Sequence, residues 1–247
     1  MLNRVRGVGF VMAIITISGQ YGSRGSEIAK ETAQLLDFSL VDRDILATAA
    51  QRTGIGIDRW DQKDMKIDTV KDRLSVILEN FLSRSGAAYL GDPYLSGEPL
   101  ISRTYAQQSD EPQNEEQRLD DNKFLEITKS IIEELASQPN LVIVGRGSSY
   151  ILKEHPRVLH VLITSPEENR ILWAMQNDDL SEEQAIRAVR DREKFRAAFI
   201  KKFFGADALD PSWFDLVLQT HRLSNVQYAA VISEAAKGLD ARVVGGA

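Results

Sequence analysis

Cysteine is absent from the 247-residue chain. Disulfides, thiolate nucleophiles and cysteine-ligated zinc are therefore excluded. Histidine is scarce, and His155, His160 and His221 share no helical or strand spacing, so a metal site built by the protein is not expected. Positive charge is not in excess: the formal net charge is -6, which disfavours extended contacts with nucleic acid. Aromatic residues are few, and Trp60, Trp173 and Trp213 read as packing residues rather than base-stacking platforms. No apolar run approaches the ~20 residues that a bilayer-crossing helix needs. The opening MLNRVRGVGFVMAIITIS has the arginines and apolar run of a secretory leader, but no small-residue cleavage pattern follows. It reads better as a first buried strand behind a disordered extension, residues 1–12, with Met12 as an alternative start. A cytoplasmic protein is expected.

Hydrophobic residues are plentiful, at 43%, which suits one α/β domain over 13–247 with a sizeable core. Five short β-branched apolar runs read as parallel strands buried on both faces: Ala13–Ser18, Phe38–Val41, Leu141–Val144, Val158–Thr164 and Phe214–Leu218. Helical periodicity covers Ser26–Leu36, Asn122–Ala136, Glu167–Gln176, Ser181–Phe203 and Ser224–Lys237. Alternation of this kind implies right-handed crossovers and a parallel sheet between helical layers. An insertion is expected at about 57–121. Its first part carries a helical stripe from Ile67 to Phe81, and its glycine, proline and acidic content from Ser85 onward suggests a long loop, loosest from Gln107 to Asp121.

The stretch ITISGQYGSRGSEIAK joins a strand to a helix through Gly19, Gly22 and Gly25. Backbone N–H groups of such a turn, with the positive end of the following helix, make an anion site that needs no side chain. Read as a P-loop, Gly19 to Ser26 lacks the usual lysine: Gly25 stands in that place and Arg24 in the place of the preceding glycine. Ser26 keeps the hydroxyl position for Mg²⁺, and Arg24 could supply the missing positive charge. Read as a dinucleotide fingerprint, the same glycines precede Asp42, an acid where a ribose ligand belongs. That second reading lacks a Tyr-x-x-x-Lys pair for proton handling. A turn that only packs helix on sheet is the plainer alternative.

Two later segments favour phosphate chemistry. Gly145-Arg146-Gly147 directly follows a buried strand, at the carboxyl edge of the sheet where ligands bind. Arg146 there suits an anionic ligand, or an ion pair with a nearby acid. The run AIRAVRDREKFRAAFIKKFF is dense in cations inside an acidic chain, with Arg187, Arg190, Asp191 and Lys194 on one helical face. It reads as a solvated face or as a basic lid, about 181–205, over transferring phosphates.

Together ITISGQYGSRGSEIA, FSLVDRDIL, VIVGRGSSYIL, VLITSPEENRI, AVRDREKFR and DPSWFDLVLQTHRLS resemble the cytidylate kinase-like family, a branch of the P-loop nucleoside monophosphate kinases. The resemblance implies a P-loop NTPase-type three-layer sandwich with a five-stranded parallel sheet, a helical insertion and a basic lid helix. It implies transfer of the ATP γ-phosphoryl, with Mg²⁺, to (d)CMP or another nucleoside monophosphate. Gly19, Gly22, Ser23, Arg24, Gly25 and Ser26 would hold the cofactor, with Ser26 on the metal. Asp42, Arg43, Gly145, Arg146, Arg187 and Arg190 would bind the acceptor. Arg24, Arg146, Asp191 and Lys194 would serve catalysis, the last two matching the family's Asp-x-x-Arg element. The chain departs from the pattern at Arg24-Gly25-Ser26, where the branch reads Gly-Gly-Arg. It departs again at Gly147, where true cytidylate kinases carry Asp, and at Lys194. Expected partners are small-molecule nucleotides, with neither nucleic acid nor membrane, and self-association into a homo-oligomer is left open. A nucleotide-binding regulator without catalysis is the second reading, and an NAD(P) oxidoreductase the third.

Overall fold

The computed structural model describes residues 13–42 and 115–244. Five strands form one parallel sheet: β1 (Ile14–Gly19), β2 (Ser39–Val41), β3 (Leu141–Val144), β4 (Val158–Thr164) and β5 (Leu216–Gln219). Their spatial order is β2-β3-β1-β4-β5. β1 lies in the middle, its Ile14 in register with Leu141 of β3 and Val158 of β4. Six helices accompany the sheet in the described residues: α1 (Gly25–Leu36), α2 (Glu115–Ala136), α3 (Ser148–Ile151), α4 (Glu167–Asn177), α5 (Glu182–Phe204) and α6 (Asn225–Val244).

The pleat sends alternate side chains of β1 to opposite layers. Ile15 and Ile17 join Ile28 and Ala29 of α1 with Tyr228 and Ile232 of α6. Ile14 joins Ile131, Ile132 and Leu135 of α2 on the other face. The expected three-layer P-loop NTPase-type sandwich is what forms. Because the three inner strands, β3, β1 and β4, are covered on both faces, runs rich in Ile, Val and Leu are the stable solution there. Among the described residues, no helix is long and apolar enough to cross a membrane.

Three boundaries differ from expectation by two residues or more. β5 starts at Leu216, two residues late, because Phe214 packs with Tyr150 in a separate aromatic cluster after a 3-10 turn, Pro211–Trp213. Nor is β5 buried on both faces: it is an edge strand, half-buried and exposed by turns, with Val217 47% exposed. α2 begins at Glu115, inside the segment read as loop. Glu, Gln, Arg and Leu are good helix formers, and acids suit a first turn. α6 continues past Lys237 because the isolated Gly238 weakens a helix by about 1 kcal/mol without ending it. Residues 1–12, Arg43 and the 57–114 part of the expected insertion lie outside the described residues.

Candidate active site

The loop between β1 and α1 is tied to the ends of its neighbours. Gln20 donates its N–H to the Ile163 carbonyl at 3.1 Å, and Ser23 folds back so that its N–H and hydroxyl reach the Gln20 carbonyl at 3.1 and 2.6 Å. The Thr220 hydroxyl, just past β5, lies 2.6 Å from the Ser23 carbonyl. Ser165, just past β4, donates its N–H to the Gln20 side chain at 3.3 Å. Gly22 has φ +77°, and a Cβ there would sit 2.7 Å from the Arg170 carbonyl oxygen, so only glycine fits. Gly25 is different: it lies in the first turn of α1, and a Cβ would come no nearer than 3.8 Å to any neighbour.

Arg24 is the N-cap of α1, in the left-handed region at φ 63°, and no side chain caps the helix. Among the described residues, no acceptor takes the N–H groups of Gly22, Gly25, Ser26 or Glu27. Ser26 itself is exposed in that first turn. By contrast α5 opens on a full capping box, Ser181 with Gln184. An uncapped helix end following a glycine turn is the arrangement that receives an anion. The Arg24 guanidinium extends toward the segment after β5, donating to the Leu223 carbonyl at 3.3 Å and lying 5.9 Å from the Tyr228 ring centre.

On the neighbouring strand, Gly145 donates its N–H to the Ile17 carbonyl at 2.9 Å, which fixes the Gly-Arg-Gly turn beside β1. Gly145, Arg146 and Gly147 are all left-handed, with φ 73°, 52° and 74°. Arg146 is half-buried. Beneath the turn runs a chain of buried polar groups. Ser149 reaches Ser18 at 3.3 Å and Thr16 at 2.9 Å, and Thr16 reaches His160 Nδ1 at 2.7 Å. Burial holds the His160 imidazole below its ordinary pKa, opposed by the nearby Asp215 carboxylate. His160 therefore belongs to the scaffold. Asp42 directly follows β2, half-buried at the sheet's edge next to β3.

The expected lid face is split. Arg187 pairs with Glu183 on its own helix at 3.7 Å, and Arg190 donates to Glu167 of α4 at 2.9 Å. Arg190 and Lys194 line an open pocket of about 260 Å³ with Glu167, Arg170 and Glu193, while Arg187 and Asp191 do not. Sequence reasoning missed the residues that bind α5 to the rest. The Arg192 guanidinium lies 3.9 Å over the ring of Tyr21, in the glycine loop. Tyr21 also packs edge-on against Trp173 and donates its hydroxyl to Asp178. Glu193 accepts from Arg196 at 2.8 and 3.2 Å and lies 3.8 Å from the buried Arg170. Glu193-x-x-Arg196 repeats the Asp191-x-x-Lys194 spacing two residues on, with a true arginine, and that copy is the half-buried one. The repeated spacing was the signal that could have found it.

A five-stranded parallel sheet with a glycine turn entering an uncapped helix at its central strand defines a P-loop kinase-type fold. The cytidylate kinase-like family matches residues 14–222, and the chain belongs to that family. A cytidylate kinase of Saccharolobus islandicus is 29% identical over 106 residues, 43% of this chain, so the chain spans about half, 54%, of that relative's length. The cytidylate kinase of Pyrobaculum islandicum is 23% identical over 217 residues, 86% of each chain. Among solved structures, an uncharacterized protein from Eubacterium ventriosum has a TM-score of 0.59 at 14% identity, over 91% of this chain and 98% of that one.

Proposed function

We propose that the protein is a nucleotide phosphotransferase that moves the γ-phosphoryl of ATP to a nucleoside monophosphate of the (d)CMP type. The observation that carries this reading is the set of unclaimed N–H groups at the start of α1, on the strand beside the Gly145-Arg146-Gly147 turn. That donor set fits a polyphosphate. The exposed Ser26 hydroxyl fits Mg²⁺, a hard cation that takes oxygen ligands. Bound Mg²⁺-ATP supplies the transferable group and part of the charge neutralisation.

The chain's own residues do the rest. Within the loop Gly19 to Ser26 and the first turn of α1, the N–H groups of Gly22, Gly25, Ser26 and Glu27 bind the donor phosphates, while Gln20 and Ser23, whose N–H groups are bonded within the protein, shape the turn. Arg146 binds the acceptor phosphate, with Asp42 and Arg43 orienting the acceptor. Arg190 and Lys194, which line the pocket beside α4, share the charge spread over the transferring group, whereas Arg187, expected to bind the acceptor, and Asp191, expected to serve catalysis, lie exposed outside that pocket. Arg24 supplies the cation that the absent P-loop lysine would carry. Phosphoryl transfer asks for positioning and charge stabilisation, and an acceptor phosphate brings its own nucleophilic oxygen, so no strong base is required. The relatives named cytidylate kinase support this acceptor class.

A second reading, nucleotide binding without catalysis, is favoured by one observation: the Arg24 guanidinium is engaged with the Leu223 carbonyl. Incubation with Mg²⁺-ATP and a panel of nucleoside monophosphates separates the two. ADP and a nucleoside diphosphate in equal amounts support the kinase. ATP binding with no diphosphate from any acceptor supports the regulator and refutes the kinase.

A further inference from the structure

The aromatic cluster at the end of α5 has no part in the chemistry above. Tyr150, Phe199, Phe204, Trp213 and Phe214 pack together there. Phe204 stacks on Tyr150, with ring centres 5.1 Å apart at 22°, and meets Phe199 edge-on at 6.1 Å. Its free edge lies against the Gly-Arg-Gly turn. A Cβ on Gly147 would come within 2.6 and 2.7 Å of two Phe204 ring carbons.

This contact bears on Arg146. Left-handed residues other than glycine occur singly, because Cβ meets the following carbonyl. Here an arginine sits between two left-handed glycines, so the run needs support from outside itself. Part of that support is main-chain. Gly145 is bonded to β1, and Tyr150 and Ile151 donate to the Gly147 carbonyl at 2.9 Å. On its outer side, a Cβ at Gly147 would meet the Phe204 ring first, with a Phe199 ring carbon next at 3.7 Å. The ring cannot easily swing away, because Tyr150 and Phe199 hold its other faces. Tyr150 itself stands on α3, which begins directly after the turn. One ring therefore touches both the turn and, through Tyr150, the helix that follows.

We infer that Phe204 is a positioning residue for Arg146: its ring, gripped by Tyr150 and Phe199, holds Gly147 and so sets the left-handed turn that presents the guanidinium. This rests on the reading of Arg146 as the acceptor-phosphate ligand. It also explains why glycine stands at 147. A side chain there would need the space the ring occupies.

The test compares the full chain with Phe204→Leu, Gly147→Ala and the double variant. Steady-state kinetics are run with ATP and the acceptor found above, and the Arg146 Nε–H NMR signal is assigned through Arg146→Lys. Phe204→Leu should lower kcat over acceptor KM by on the order of tenfold, as expected for a misplaced phosphate ligand. The KM for ATP should stay within about twofold, since the donor loop lies on another strand. Gly147→Ala should lose at least as much, and the double variant should recover part of that loss. Equal effects on donor and acceptor, or strictly additive losses, would overturn the inference. Should Phe204→Leu not fold, Gly147→Ala approaches the same contact from the turn, and a donor–acceptor split is required of it. A wild type that makes no diphosphate sinks the kinase reading instead. The NMR signal then decides positioning by itself: moved by Phe204→Leu, it supports the inference, and unmoved, it overturns it.

Discussion

Replacing Gly25 by lysine restores the side chain that P-loops ordinarily carry, and the structure sets what should follow. A Cβ at this position meets Gly19 Cα and Ser23 Oγ at 3.8 Å and Ile163 Cβ at 3.9 Å, ordinary contact distances. Removing a glycine from a helical turn stabilises by about 0.5–1 kcal/mol. A cation in the first turn opposes the helix dipole by about 0.3–1 kcal/mol. The two nearly cancel, so the unliganded variant should unfold in urea at almost the wild-type midpoint. With the triphosphate bound, a unit charge about 4 Å away at an effective dielectric near 20 gains roughly 4 kcal/mol before desolvation and side-chain ordering. A net gain of about 1.4 kcal/mol, tenfold in Kd, is the expected remainder. Titration calorimetry with Mg²⁺-ATP reads it, and Gly25→Ala separates backbone from charge: it should be slightly more stable than wild type, with unchanged affinity. If Gly25→Lys folds normally and binds ATP no better than Gly25→Ala, position 25 does not face phosphate and the glycine loop is not the donor site.

Arg146→Ala should lower turnover at least about tenfold while the urea midpoint holds; unchanged turnover in the folded variant removes Arg146 from the mechanism. His160 is buried and held below the ordinary 6.5. The unfolded chain therefore takes up a proton that the folded chain refuses, so stability is full above about pH 6.5 and falls as the pH drops through it, by at most about 1.4 kcal/mol per unit. His160→Gln should flatten that slope between pH 7.5 and 5.5 in urea unfolding. Among the described residues the buried Tyr150 hydroxyl has no hydrogen-bond partner, and burial pushes its pKa up to about 12. Tyr150→Phe should leave stability unchanged or raise it by up to about 1 kcal/mol, and a loss larger than that in urea would show a partner for the hydroxyl.

The sheet was legible where burial is two-sided. β3 and β4 begin and end where their largely β-branched runs do, because two-sided burial suits apolar side chains and admits a polar one, His160, only with a partner, Thr16. The edge strand was harder. Phe214 is apolar and adjacent to β5, but its partner is Tyr150, and no local pattern says which apolar residue belongs to which cluster. The glycine loop was legible because its geometry is local. Gly22 shows both the value and the limit of that reading: its place in the motif was plain, but the reason only glycine fits is the Arg170 backbone, brought there by a different helix. The same holds at the lid. Helical spacing groups Arg187, Arg190, Asp191 and Lys194, and that grouping alone cannot say which face meets α4. The meeting of α4, α5 and the glycine loop selects Arg192, Glu193 and Arg196 for contact and leaves Arg187 and Asp191 outward.

Strain marks the same place that the motifs do. Five residues other than glycine have positive φ among those described: Arg24, Asp37, Asn140, Arg146 and Asp179. Asp and Asn tolerate the left-handed region, and Asp37, Asn140 and Asp179 sit in connections between elements, where such residues are common. The two arginines have no such tolerance, and each costs about 1–2 kcal/mol in this conformation. They stand on adjacent strands, just past β1 and β3, at one edge of the sheet. The packing that holds them is specific, Gly22 on Arg170 and Gly147 on Phe204. Residual strain of this kind persists where surrounding structure over-determines it, which is characteristic of ligand sites. Glycine at position 24 would relieve the strain and delete the charge together. After the entropy of an added glycine and the weak bond to Leu223 are set against the relief, the folded state should change by about 0–1 kcal/mol. Affinity for Mg²⁺-ATP should fall by about tenfold, the loss of one shared phosphate cation. Urea unfolding and calorimetry read the two separately. If stability falls by more than about 2 kcal/mol while affinity holds, Arg24 serves the packing of the β5–α6 connection and not the phosphate.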